Sequence, residues 1–241
     1  MNIFIHSETD ELRKSFVDFN HKVFSISCEG WSNIKYDLCY IEECGRFEPR
    51  LLSMPCFSNA VVFYKTHDSV VSQNENYMHE NGHLIFTSNC DSHKQKKFNW
   101  LNWYSKVFDV NKNSELCEVD SIDDCSLEEV INSKFLIIKS PPTSVSKILF
   151  QAAAAKTFII CKSPKDEDVF KSAFENNEHI TYFNNEKEKD LRYKVNSLSD
   201  EDYRDITSRA LEKVKKFHTP SERCKEIIKI YKKKVKKRSN N

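Results

Sequence analysis

The sequence predicts an α/β fold with a mostly parallel sheet, and three observations carry that expectation. Residues 135–138 (FLII) and 158–161 (FIIC) are apolar runs of strand length. Between them Val145, Ile148, Leu149, Ala152 and Ala155 recur at helical spacing, behind a proline turn (Pro141, Pro142) and a cap at Thr143 or Ser144. A strand, a helix and a strand of these lengths form a βαβ unit, with parallel strands and a right-handed crossover. Strand and helix patterns also alternate across the second half of the chain, as a helix-covered parallel sheet requires.

In order, residues 2–6 read as a short strand, and residues 9–20 as a helix with Leu12, Phe16 and Phe19 on one side. Residues 23–27 and 37–41 are strands, separated by the break at Cys28-Glu29-Gly30-Trp31. Residues 42–55, with Gly45, Pro49 and Pro55, read as connecting loop rather than core. The AVVFY run at 60–64 is a strand, and His67-Asp68 beyond it is a candidate acid–base pair set against a plain turn. A polar stretch, 72–82, is the expected domain boundary.

Past that boundary, residues 83–87 (HLIFT) are a strand, 94–104 a basic helix and 107–110 a strand, while 111–125 is polar and acidic. Ser126 and Glu129 make a capping box that opens a short helix into the central βαβ unit. Helices follow at 166–176 and 186–198, with a strand at 180–183 between them. Ser199 starts a further helix. Thr219-Pro220-Ser221-Glu222 starts the last one, with Cys224, Ile227, Ile228 and Tyr231 on one stripe.

Composition narrows the chemistry. With 3 glycines in 241 residues there is no Gly-rich phosphate loop, so any phosphate must be held by a helix start and side chains. The 9 cysteines form no CxxC pair and no zinc spacing, which reads as reduced, buried thiols in a cytoplasmic setting. No signal peptide and no membrane-spanning run is expected, so any membrane contact would be peripheral. The formal charge of +1 hides an asymmetry, because residues 211–241 hold twelve Lys and Arg against three Glu. Such a basic tail on an acidic body fits an anionic membrane surface, nucleic acid or an acidic protein, or a plainly solvated helix.

Phe86-Thr87-Ser88-Asn89-Cys90 is followed by Lys94-Gln95-Lys96, Phe98 and Leu101, then by Lys134-Phe135 and Val145-Ser146-Lys147-Ile148. This order resembles the donor half of two-lobed (GT-B) glycosyltransferases, nearest to the alpha-fucosyltransferases. Upstream, Glu29 stands eight residues before Asp37, and residues 50–55 (RLLSMP) sit where that family has a similar loop. The resemblance implies a GT-B-like α/β fold, with a Rossmann-type parallel sheet in a C-terminal donor lobe. Its implied domains are a reduced N-terminal acceptor-side lobe over 1–80, a donor lobe over 81–217, and a C-terminal helix with a basic tail over 218–241.

The same resemblance implies inverting sugar transfer with Glu29 as general base. Asn89, Lys94, Lys96, Ser144, Lys147 and Gln151 would bind a GDP- or UDP-linked sugar, with fucose among the candidates. It implies no metal and no cofactor, and a glycan or other hydroxyl acceptor. The departures matter. Gln95 replaces an arginine, Lys147 and Ile148 replace a Glu-Lys pair, Gln151 stands where a glutamate is common, and Lys156 where a glycine is. Two other readings stay open: a catalytically inactive partner subunit of the same fold, and a nucleic-acid-associated protein using the tail with Trp100, Trp103 and Tyr104.

Overall fold

A computed structural model describes residues 1–7, 10–42, 48–66, 84–87, 108–142, 146–164, 173–184 and 188–239. The chain divides into two compact units, Met1–Leu101 with Pro220–Asn241, and Asn102–Thr219.

The first unit holds a five-stranded, all-parallel sheet. Its elements are β1 (Asn2–His6), α1 (Asp10–Asp18), β2 (Lys22–Phe24), β3 (Leu38–Glu42), β4 (Val61–Thr66) and β5 (Leu84–Thr87), in the order β2-β1-β3-β4-β5. The order reverses between β1 and β3, the point where such sheets open a crevice at the strands' carboxyl ends. One face packs Phe4, Cys39, Ile41, Val62 and Tyr64 under Leu52, Cys56 and Phe57. Those last three lie in 3-10 turns, Pro49–Ser53 and Pro55–Phe57, so residues 49–57 form a lid over the core rather than the loop expected from their prolines. The aromatic seam of Phe4, Tyr36 and Phe57 closes this face, with ring centroids 5.1 to 5.4 Å apart. The other face is covered by α1, through Leu12 and Phe16, and by the last helix of the chain, Pro220–Ser239.

The second unit holds a four-stranded parallel sheet, β6 (Ser114–Val119), β7 (Ser133–Ile138), β8 (Phe158–Lys162) and β9 (Thr181–Phe183), in sequence order. Helices α2 (Leu127–Asn132) and α3 (Lys147–Ala154) connect its strands, and α4 (Glu188–Ser197) and α5 (Asp200–Phe217) follow. Both faces are covered, which is why β7 and β8 read as unbroken apolar runs. Phe135, Ile137, Phe158 and Ile160 pack under Leu191 and Val195 of α4, with Tyr203 of α5. On the α3 side Phe150 is fully buried, 5.0 Å from the ring of Phe174 and 4.7 Å from that of His218. From there the chain returns to the first unit as α6 (Pro220–Ser239), which buries Arg223, Cys224 and Ile227.

Several expectations shift. HLIFT, expected to open the second lobe, pairs as β5 with β4 in the first sheet. Residues 108–110 form no strand, and β6 lies instead within the stretch expected to be polar. As an edge strand, SELCEV needs little apolar content because one side meets water. The cap of α3 is Ser146, and that helix begins at Lys147; the expected caps Thr143 and Ser144, and Val145, lie outside the described residues. The capping box at Ser126 is complete, with Ser126 Oγ accepting from Glu129 N–H and the Glu129 carboxylate accepting in return. Most of the helix expected over 166–176, and all of that over 94–104, lies outside the described residues.

Candidate active site

The carboxyl edge of the second sheet is defined by strand register. Ile138 pairs with Cys161, Val119 with Ile138, and Lys162 with Phe183, so the strand ends stand in one row. Backbone bonds fix the turns that leave it: Ser140 N–H donates to Asp120 O at 2.7 Å, and Ser163 N–H to Phe183 O at 2.7 Å. Beyond β7 the chain passes buried Pro142 and re-enters helix at α3. Ser146 Oγ accepts from Ile148 N–H at 3.3 Å, so the helix start, with Lys147 as its first residue, lies on the loop that leaves the carboxyl end of β7. Helix starts carry partial positive charge, and a half-buried lysine there adds a full one.

Two further lysines occupy the strand ends. Lys162 closes β8, and Lys139 follows β7 and pairs with Glu118 at 2.8 Å. Glu118 is also reached by Arg192 at 3.1 Å, so one mostly buried carboxylate of β6 gathers two cations. Neither lysine stood out in the sequence, although each sits where an apolar strand gives way to a turn.

The sequence-derived residues divide as follows. Lys147 and Gln151 share α3, one turn apart, and both are half-buried. Glu29 is exposed in the first unit, in the turn after β2. Its neighbour Gly30 has φ 68, a left-handed conformation that favours glycine, and Trp31 packs on Phe4 at 5.7 Å. Asn89, Lys94, Lys96 and Ser144 lie outside the described residues, as do His67, Asp68, Trp100, Trp103 and Tyr104.

The first sheet has a polar cluster of its own at its carboxyl edge, which the sequence reading passed over. Glu42 ends β3, Lys65 sits beside it in β4, and their side chains pair at 3.1 Å while almost wholly buried. Ser7 Oγ, just past β1, donates to the same carboxylate. The sequence predicts Glu42 as the start of a loop. It is the last residue of a strand, and the lysine four residues after Val61 is the signal that could have found it.

Among the described residues, Glu175, Glu178 and His179 are grouped closely enough to hold a metal ion. Two of its members already have protein partners: Lys213 Nζ donates to Glu175 at 3.2 Å, and His179 Nδ1 accepts from Glu175 N–H at 3.1 Å. With an ammonium on the Glu175 carboxylate and the His179 ring nitrogen engaged by a backbone N–H, this cluster reads as a turn-stabilising network. A shallow hollow lined by Asp10, Arg13, Lys14, Val17 and Asp18 lies along α1, with charges of both signs and no convergent polar group.

Two parallel sheets flanked by helices, each in its own compact unit, define the GT-B fold. Glycosyltransferases are among the solved structures that resemble the chain. A glycosyltransferase from Rickettsia africae aligns with TM-score 0.54 at 10% identity, over 98% of this chain and 90% of that one. AviGT4, a glycosyltransferase involved in avilamycin A biosynthesis, aligns with TM-score 0.58 at 9% identity, over 92% and 87%. Anabaena HepE, solved with UDP and glucose, aligns with TM-score 0.54 at 8% identity, over 96% and 99%. No curated protein matches the sequence. The glycosyl transferase-like family model matches residues 105–229, just over half of the chain, and the chain belongs to that family. The match is to this broad family and leaves the narrower fucosyltransferase likeness unconfirmed.

Proposed function

We propose that the protein transfers a sugar from a nucleoside-diphosphate sugar to a hydroxyl acceptor, holding the donor diphosphate at the carboxyl edge of the second sheet. The observation that carries this reading is the place of Lys147. It opens a capped helix between two parallel, adjacent strands, inside the segment matched by the family. In the proposed displacement an acceptor oxygen bonds to the anomeric carbon while that carbon's bond to the diphosphate oxygen breaks. The acceptor proton passes to a base, for which Glu29 is the proposed residue, and the departing diphosphate gains negative charge near Lys147. Asn89, Lys94, Lys96 and Ser144 complete the proposed donor set, and Gln151 would offer an amide to a sugar or ribose hydroxyl. HepE, solved with UDP and glucose, favours UDP as the carrier, while fucose is the finer reading carried by the motifs around Lys134 and Lys147.

Calorimetric titration of the full chain with UDP, GDP and their sugars tests this. Saturable binding is expected, weakened about 10- to 100-fold in Lys147→Ala, the range for losing a charged hydrogen bond. Binding of no nucleotide would overturn the reading and leave a non-catalytic protein of this fold.

A further inference from the structure

We propose that the exposed lysine face of α6 docks this protein onto an anionic lipid bilayer. From Ile227 to Ser239 the helix carries six lysines and one arginine and no carboxylate. Lys229, Lys232, Lys233, Lys236 and Lys237 are all exposed, and helical spacing lays Lys229, Lys232 and Lys236 along one stripe flanked by the other two. Among the described residues none of these five has a carboxylate partner, whereas Lys225 nearer the helix start pairs with Glu222 at 2.6 Å. Cys224 and Ile227 point the opposite way, into the first unit, where Cys224 Sγ lies 3.5 Å from Leu12 O. The positive field is felt nearby. His21 sits below its usual pKa chiefly through burial, with the Met1 amine and Lys232 adding to the effect.

A bilayer fits this face better than other polyanions. The row from Lys229 to Lys237 runs along one face of a single helix and is about 12 Å long at the helical rise, a line suited to a flat surface rather than a groove. It is built of lysine, a point charge that serves diffuse headgroup attraction, and the one arginine there, Arg238, reaches Asn59 O at 3.4 Å. Base stacking would need an exposed aromatic ring, and Tyr231, the aromatic of α6, is half-buried. Because the apolar stripe of α6 faces the protein core, contact with lipid is electrostatic, reversible and screened by salt.

The test is co-sedimentation of the full chain with vesicles of phosphatidylcholine alone or mixed with phosphatidylglycerol. Binding is expected to the mixed vesicles only, and is expected to disappear near ~0.5 M salt, where screening is nearly complete. The triple variant K229Q/K232Q/K236Q should bind roughly a hundredfold more weakly, at about fivefold per lysine. A charge-matched control, K35Q/K156Q/K215Q, should bind like the unaltered chain. Equal binding to neutral vesicles, or equal losses in both triple variants, would overturn the proposal. So would tighter binding to a DNA duplex or to polyglutamate than to the mixed vesicles. No turnover is measured, so the outcome stands apart from the sugar-transfer reading.

Discussion

Glu42 and Lys65 place a carboxylate and an ammonium almost entirely out of water, at 6% and 1% exposure. Desolvating two ions is tolerated only if they meet each other, and here they do, with the Ser7 hydroxyl as a further partner. Removing one partner leaves a buried charge, so Glu42→Gln or Lys65→Met should each destabilise by about 3–5 kcal/mol in urea unfolding. The double variant Glu42→Leu/Lys65→Met should recover most of that loss. Additive losses in the double variant would show that the two groups do not depend on each other. The pair was hard to read from sequence because a charged residue after an apolar run looks like the start of a loop. Only the β3–β4 register reveals that both ions still lie within the sheet.

At the scale of elements, the best-read piece was the unit formed by β7, α3 and β8. Its apolar runs are long, and a helix-length segment between them forces parallel pairing, as found from Phe135–Phe158 to Ile138–Cys161. The start of α3 was misplaced because Thr143, Ser144 and Ser146 are all competent caps, and only geometry chooses Ser146. Edge strand β6 escaped notice for lack of apolar content. Lys112, just ahead of it, anchors it by donating to Ile131 O of α2 and to Thr157 Oγ1 ahead of β8, each at 2.7 Å. Burial lowers the Lys112 pKa from 10.5 to about 8. The unfolded chain therefore holds an extra proton between pH 8 and 10.5, and stability from this group rises with pH across that window. It is lost as pH falls through about 8. Urea midpoints of wild type minus Lys112→Met should climb between those values, and a flat difference would contradict the burial of the ammonium.

For the whole molecule, two parallel sheets in separate compact units, with the last helix returning to the first, give the fold shared with the solved structures that align over most of the chain. Alternating strands and helices made that class legible early. The boundary was less so, because the short β5 has the same look whether it ends one sheet or begins another. Site residues were harder still, since Lys139 and Lys162 acquire meaning only when strand register puts them at one edge. Sugar transfer as proposed needs a diphosphate held at that edge. Photolabelling the full chain with an azido derivative of UDP-glucose, followed by peptide mapping, addresses this directly. Label is expected within residues 139–162, protected by excess UDP and diminished in Lys147→Ala. Label confined to the first unit, or indifferent to competing UDP, would contradict it.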